Sequence, residues 1–310
     1  MTPFAGIVGQ DTAISLLERA IAQGRVAPGY LFAGPAGVGR RRVALALATL
    51  LLGGEDRPAI QRRIGDRNHP DLLWVEPTYL HQGRPITPAE AEDLGVKRKS
   101  PPQVRLEQIR DVARFLSRPP LEAPQAVVVL EGAETMAEGA ANGLLKTLEE
   151  PGNATLILLA PDTAALLPTL VSRCQTVPFR RLAPAELATV LTTQGQGDIL
   201  QQPEMLALAQ GSPGAAIAAW ETLQALPSEV LAAVDPFPQT LRSALDLARL
   251  LAKDLDLETQ LWLVDYLQQR HWHQSRSPQM IQALETARQH LRQFVQPRLV
   301  WEVTLMGMVA

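Results

Sequence analysis

Six residues, Gly34-Pro35-Ala36-Gly37-Val38-Gly39, separate the apolar run Tyr30-Leu31-Phe32-Ala33 from an apolar stretch of helical pattern over 41–52. Three glycines in so short a turn leave the backbone free to enter conformations closed to other residues, and their setting restricts this part of the chain to a strand–loop–helix unit. Residues 126–130 and 156–160 are also continuously apolar, as strands buried on both faces are. Helical patterns separate these runs: one over 107–116 closed by Pro119-Pro120, and one over 136–150 ended by Pro151-Gly152. Residues 71–75 are strand-like, and 11–23 place Ile14, Leu17, Ala20 and Ile21 at helical spacing. A helix is expected over 163–171, entered after Asp162. Strands alternating with helices predict an α/β fold, a doubly wound parallel sheet covered on both faces.

Beyond Phe179 the strand signals fade. Short helices are predicted over 184–191, 204–210 and 215–226, with a break at Leu226-Pro227. After the turn Asp235-Pro236-Phe237-Pro238, longer helical patterns cover 241–255, 258–269 and 279–294, and a last one follows Pro297. The expected division is an α/β domain over 1–178, a small helical segment over 179–225 and an all-α domain over 226–310. Residues 78–102 are expected to form an exposed insertion without assigned chemistry.

Composition narrows the function. A chain of 310 residues with 46% hydrophobic residues can bury substantial cores, and a formal net charge of −3 excludes the global basic field of an autonomous nucleic-acid binder. The dense basic clusters, Arg40-Arg41-Arg42 and Lys97-Arg98-Lys99, are local, and the second is read as solvated surface. The one cysteine, Cys174, excludes an internal disulfide and any zinc site built from several cysteines, and points to a reducing compartment. The start Met1-Thr2-Pro3-Phe4 shows no leader pattern, and no run reaches the ~18 to 20 apolar residues of a membrane helix. The expectation is a cytoplasmic protein with no membrane partner.

A phosphate-holding loop needs glycines so that backbone N–H groups can face the anion at the positive end of the next helix. Gly34, Gly37 and Gly39 keep that frame. The consensus then continues with Lys and a hydroxyl residue, where this chain has Arg40 and Arg41. Lysine reaches the terminal phosphates and the hydroxyl ligates Mg²⁺. Arg40 supplies charge in a bulkier, planar form, and Arg41 cannot ligate a cation. A plain tight connection is the alternative reading, but spacing and context favour a phosphate loop that is impaired in function. The apolar strand over 126–130 leads into Glu131-Gly132-Ala133-Glu134. In a working site an acidic pair there would hold the metal and activate water. Glu131 stands at the metal position, Gly132 at that of the base, and Glu134 is read as a solvated charge at a helix start.

Four segments together carry a resemblance: Ile7-Val8-Gly9-Gln10; Tyr30-Leu31-Phe32 before the loop; Ala140-Ala141-Asn142-Gly143-Leu144-Leu145-Lys146-Thr147-Leu148-Glu149-Glu150-Pro151; and Ser172-Arg173-Cys174-Gln175. The chain resembles the AAA+ clamp-loader subunits of bacterial DNA polymerase III, densely over 1–180 and thinly afterwards. The resemblance implies an AAA+ domain, then a helical lid, then a helical collar that joins subunits into a ring. Motor subunits of that family sense the γ-phosphate with a Thr or Asn at a strand end where this chain has Ala160. They also carry a lid arginine at the position of Gly214, within Gly211-Ser212-Pro213-Gly214-Ala215-Ala216. With the loop lysine, the Mg²⁺ hydroxyl and the base also missing, the chain is expected to be a non-hydrolysing subunit.

Within the same resemblance Arg173, flanked by Ser172 and Cys174, is an arginine finger offered to a neighbour's ATP. A guanidinium suits that task because it is always charged and donates two hydrogen bonds to phosphoryl oxygens. A surface arginine capping the helix over 163–171 is the alternative. The family's cysteine-rich zinc module has no counterpart, and His69 in His69-Pro70-Asp71 is read as preceding a strand rather than as a metal ligand. No metal and no resident cofactor are expected. The implied partners are motor subunits of the tau/gamma type, a delta-type subunit, the sliding clamp, and primer–template DNA reached mainly through the complex. An active ATPase, with Arg40 and Glu131 making do, and a regulatory protein that holds ADP or phosphate are the competing readings. Trp262, Tyr266, Trp272 and Trp301 are expected to be core or subunit-interface aromatics.

Overall fold

The computed structural model describes residues 3–96, 101–234, 237–274 and 278–309, with the side chains of 273 and 274 left aside. The Lys97-Arg98-Lys99 cluster and the Asp235-Pro236 half of the turn Asp235-Pro236-Phe237-Pro238 lie outside the described residues.

Strands form where the chain is apolar on both faces. The elements of the first unit are α1 (Asp11–Ala22), β1 (Gly29–Ala33), α2 (Arg40–Leu51), α3 (Pro58–Gly65), β2 (Leu72–Val75), β3 (Tyr79–His81), β4 (Arg84–Ile86), α4 (Pro88–Asp93), α5 (Leu106–Leu116), β5 (Ala126–Leu130), α6 (Glu138–Glu149), β6 (Ala154–Ala160), α7 (Pro168–Val171) and β7 (Gln175–Pro178). The main sheet is parallel and runs in the order β2-β5-β6-β1-β7. Every residue of β5 and β6 is buried, as expected for central strands covered on both sides. Leu31, Val128, Leu130, Leu156 and Leu158 join one core cluster with Ile109 and Val112 of α5 and Leu144 and Leu148 of α6. The alternate residues Phe32, Val127, Val129 and Ile157 are equally buried and face the other way, where α2 meets β5 and β6. The doubly wound sheet predicted from the strand and helix alternation is the one observed.

One local expectation is corrected, and two elements that the sequence left unread are added. The helix anticipated over 163–171 is only the short α7, because Pro168 holds Leu167 in extended backbone at φ −59 and ψ 132. Asp162 closes a turn instead, its Oδ1 accepting from the Ala165 N–H at 2.8 Å. The edge strand β7, which pairs with β1, carried no apolar signal because only Val177 of its four residues is buried. The insertion is folded: Gln82 and Gly83, both at positive φ, join β3 to β4 as a tight hairpin, and Thr87 and Glu90 close a capping box on α4. Reciprocal Thr78–Gln103 backbone bonds of 2.9 and 3.0 Å fasten its base.

The chain divides into two compact units, Met1–Glu186 and Leu187–Ala310. The remaining helices are α8 (Pro184–Thr193), α9 (Pro203–Ala209), α10 (Pro213–Ala225), α11 (Ser228–Val234), α12 (Leu241–Asp254), α13 (Leu257–Gln274), α14 (Pro278–Arg292) and α15 (Pro297–Val309). Helix α11, unread in the sequence, contributes Val230 and Val234 to one cluster that runs from Leu226 to Leu305 and encloses Trp301. The Trp301 indole N–H finds Gln260 Oε1 at 2.9 Å, so its polar atom is satisfied inside that core. Trp262 stacks on Tyr266 with ring centres 5.5 Å apart, while Trp272 is exposed.

Candidate functional site

In a parallel sheet, ligand sites gather where the carboxyl ends of neighbouring strands release their loops. The register sets Ala33 opposite Ala160, and Val75 opposite Leu130. The glycine loop therefore leaves β1 from the same edge as the residues after β2, β5 and β6. Gly37 and Gly39 take φ of +74 and +106, and Gly39 opens directly into α2. Gly34 has a different reason: a Cβ there would lie 2.4 Å from the Phe179 carbonyl oxygen, so the chain after β7 passes too close for a side chain. Gln10 pins the loop from below. Its buried amide donates to the Val38 and Arg180 carbonyls at 3.1 and 2.8 Å and accepts from the Arg180 N–H at 3.1 Å.

Arg41 turns its guanidinium toward the acidic strand ends. Its Nε lies 2.8 Å from Glu131 Oε1 and its Nη2 lies 2.9 Å from Glu76 Oε1. Arg67 also pairs with Glu76 and lies 3.9 Å from Glu131, while its guanidinium rests 4.7 Å from the centre of the Trp74 ring. The Trp74 indole donates to the same Glu131 oxygen at 2.5 Å. Burial pushes the Glu131 carboxyl up; Arg41, the Trp74 bond and Arg67 pull it down, and Glu76 adds to the rise, which prevails. Glu131, read from the sequence as standing at a metal position, is thus already engaged by two arginines and an indole. Mg²⁺ needs oxygen ligands in near-octahedral array, and a guanidinium on the same oxygen opposes that.

Gly132 is held at φ +58, and a Cβ on it would meet Pro77 Cγ at 2.5 Å. The position read from the sequence as that of the base therefore has no room for a side chain. Glu134 is exposed on the short 3-10 turn Ala133–Thr135. Arg40 begins α2 half-buried; burial lowers its pKa, Glu134 and Glu131 oppose that, and its Nη1 is buried without a hydrogen-bond partner among the described residues. Ala160 is fully buried at the end of β6, its methyl group in the core cluster and its carbonyl accepting from the Gly34 N–H at 3.1 Å. Gly214 lies in the second unit, in the first turn of α10, where the Ser212 hydroxyl caps the Ala215 N–H at 3.2 Å.

Arg173 lies just past α7, exposed. Its Nε and Nη2 both reach Glu149 Oε1, at 3.0 and 2.6 Å, and its Nη1 donates to the Thr169 carbonyl at 3.0 Å. The helix-capping contact considered as an alternative is therefore present, together with an ion pair that spacing alone did not reveal. The Ser172 hydroxyl donates to the same carbonyl at 3.0 Å. Cys174 packs against Gly29, and burial pushes its thiol up to about 11. His69 is buried, with Nδ1 accepting from the Asp71 N–H at 3.2 Å. Asp71 in turn gathers the N–H groups of Leu121, Glu122 and Ala123 at 2.6 to 2.8 Å. Among the described residues no group of three or more His, Cys, Asp or Glu could hold a metal ion, and no helix is long and apolar enough to cross a membrane.

Sequence reasoning missed Trp74, Glu76 and Arg67, which carried no motif, and gave no role to Gln10 or Glu149. The last two lie inside the segments that carried the resemblance, and that was the available signal.

A glycine loop feeding a helix from an interior strand of this order, beside an acidic strand end, defines an AAA+ domain of the clamp-loader kind. The family described as DNA polymerase III, delta subunit, matches residues 9–183, and the one described as cyanobacterial DNA polymerase III delta prime, C-terminal domain, matches 185–308. The chain belongs to the delta-prime family of DNA polymerase III subunits. It is 32% identical over 192 residues to DNA polymerase III subunit delta' of Bacillus subtilis, covering 60% of this chain and 52% of that one. To the delta' subunit of Pseudomonas aeruginosa it is 36% identical over 189 residues, 59% of this chain and 53% of that one. The chain thus spans about half the length of these relatives. A solved DNA polymerase III gamma subunit-related protein of Thermotoga maritima superposes with a TM-score of 0.58 at 18% identity, covering 96% of this chain and 99% of that one, a likeness of fold.

Proposed function

We propose that this protein is a non-hydrolysing subunit of the DNA polymerase III clamp loader that contributes Arg173 to a neighbouring subunit's ATP site. The observation that carries the reading is the Arg41 guanidinium lying on Glu131 and Glu76. The cation side of the site is taken by the chain's own side chain, with no base at Gly132 and no polar group at Ala160. Arg173 by contrast stands exposed in the segment that resembles the family's finger. The reading extends to 179–225 as a lid and 226–310 as a collar. It takes no cofactor of its own, and its partners are motor subunits of the tau/gamma type, a delta-type subunit, the sliding clamp and primer–template DNA met through the assembled complex. An apolar cavity of about 360 Å³ between α14 and α15, edged by exposed Leu299 and Val303, supports a subunit contact on the second unit. The test is ATP turnover by the purified chain with Mg²⁺: no release of phosphate above a blank is expected, and steady turnover abolished by Arg40→Ala would establish an active ATPase instead.

A second reading, that the loop holds ADP or phosphate without turning it over, is favoured by the intact glycine frame and by the unpartnered Arg40 Nη1. Calorimetric titration with ADP distinguishes it: heat of binding supports it, and none means a closed site.

A further inference from the structure

The guanidinium of Arg173 is already docked, and it is docked on a group that mimics what it is read as binding. Its Nε and Nη2, the two donors with which an arginine grips a phosphoryl group, converge on one oxygen of Glu149 at 3.0 and 2.6 Å. The third nitrogen, Nη1, is fixed at 3.0 Å on the Thr169 carbonyl of α7 and steadies the side chain. Both partners of the pair are open to water, with side-chain exposures of 37% and 51%. Such a pair is weak and exchanges readily, since solvent screens it. A terminal phosphate carries more charge and more acceptor oxygens than a carboxylate and would displace it.

We propose that Glu149 is a positioning residue that withholds Arg173 from a neighbour's nucleotide: its carboxylate fills the fork the phosphate takes, and so sets the ATP concentration at which the arginine leaves. This rests on the arginine-finger reading above. It assigns a task to one of the two adjacent acids, Glu149 and Glu150, since the carboxylate that meets Arg173 is that of Glu149. It also explains why the pair sits on the surface, where exchange costs little, rather than in the core.

The experiment is the ATP dependence of DNA- and clamp-stimulated hydrolysis by the reconstituted complex carrying the wild-type chain, Glu149→Gln, Glu150→Gln, Arg173→Ala or the Glu149→Gln/Arg173→Ala double variant, each checked for assembly by gel filtration. Glu149→Gln is expected to lower the half-saturating ATP concentration roughly two- to five-fold, the scale of an exposed ion pair, with kcat unchanged. The shift should vanish in the Arg173→Ala background, should not appear with Glu150→Gln, and should shrink at high salt, where exposed pairs are screened. An unchanged half-saturation, an equal shift from Glu150→Gln, or a fall in kcat overturns the inference. If Arg173→Ala slows the complex while Glu149→Gln is silent, this inference alone fails; if Arg173→Ala is itself silent, the finger reading fails and takes this inference with it.

Discussion

Arg41 and Arg173 both lie on carboxylates, yet the two sites are built oppositely. At the glycine loop the acids are the sheltered partners: Glu131 and Glu76 are 15% and 23% exposed, and each is touched by a second arginine. At Arg173 the acid, Glu149 at the end of α6, is 51% exposed and meets one arginine among the described residues. Burial of the acceptor decides whether such a pair is structural or exchangeable. A sheltered carboxylate that loses its donors retains an uncompensated charge, whereas an exposed one is rehydrated.

The largest effect should come from a sheltered acid held by backbone N–H groups. Asp71 is 2% exposed; burial pushes its carboxyl up, but the N–H groups of Leu121, Glu122 and Ala123 outweigh that and hold it below the usual range. Asp71→Ala should cost about 3 kcal/mol in urea unfolding, the scale of several charge-assisted bonds left unmade. Because the folded pKa is depressed, this stabilisation is present above the unfolded value of about 4 and is lost as the pH falls through the folded one. A pH profile of stability in which wild type and Asp71→Asn converge in acid checks it.

Glu131 should behave in the reverse sense. Its folded pKa is raised, so its contribution is fully present below the unfolded value of about 4.3 and declines as the pH rises through the folded one. Glu131→Ala strands Arg41 and the Trp74 indole and should cost about 2 kcal/mol, while Glu131→Gln, which keeps an acceptor, should cost under about 1 kcal/mol at neutral pH. Equal losses from the two variants would mean that charge, and not acceptor geometry, holds the cluster.

Gly132→Ala sharpens the same contrast at the empty base position. The φ of +58 and the 2.5 Å approach to Pro77 predict a loss of about 1 to 2 kcal/mol by thermal melting, so a base cannot be reinstalled there without strain. The smallest structural effect is next to Arg173: with its thiol pushed up to about 11, Cys174 should alkylate on the order of a hundred-fold more slowly than a free thiol at about pH 8, although its neighbour is exposed. Rapid labelling of the folded chain would show that the segment opens.

The contrast also explains what was legible. Strands β1, β5 and β6 were readable because burial on both faces makes them continuously apolar, and the loop was readable because glycine is the residue that tolerates its backbone. The strand β7 was not, since an edge strand with Val177 alone buried leaves no pattern. The hairpin in the insertion was signalled by Gln82-Gly83 but hidden in polar sequence. Arg41 and Glu131 were recognised as departures from a working site, while their meeting with Glu76, Arg67 and Trp74 depends on the β2–β5 pairing, which sequence spacing does not encode. The Arg173–Glu149 pair is likewise tertiary, joining residues 24 apart across the α6–β6–α7 path.

The most direct test of the account is ATP hydrolysis by the reconstituted complex, stimulated by clamp and primed DNA, with wild-type chain against Arg173→Ala at saturating ATP. Removing a guanidinium that stabilises phosphoryl transfer should lower the rate from the affected site by about a thousand-fold or more. The total rate should therefore fall to what the complex's other sites supply, with assembly intact by gel filtration. An unchanged rate would contradict the account and leave Arg173 as the cap of α7.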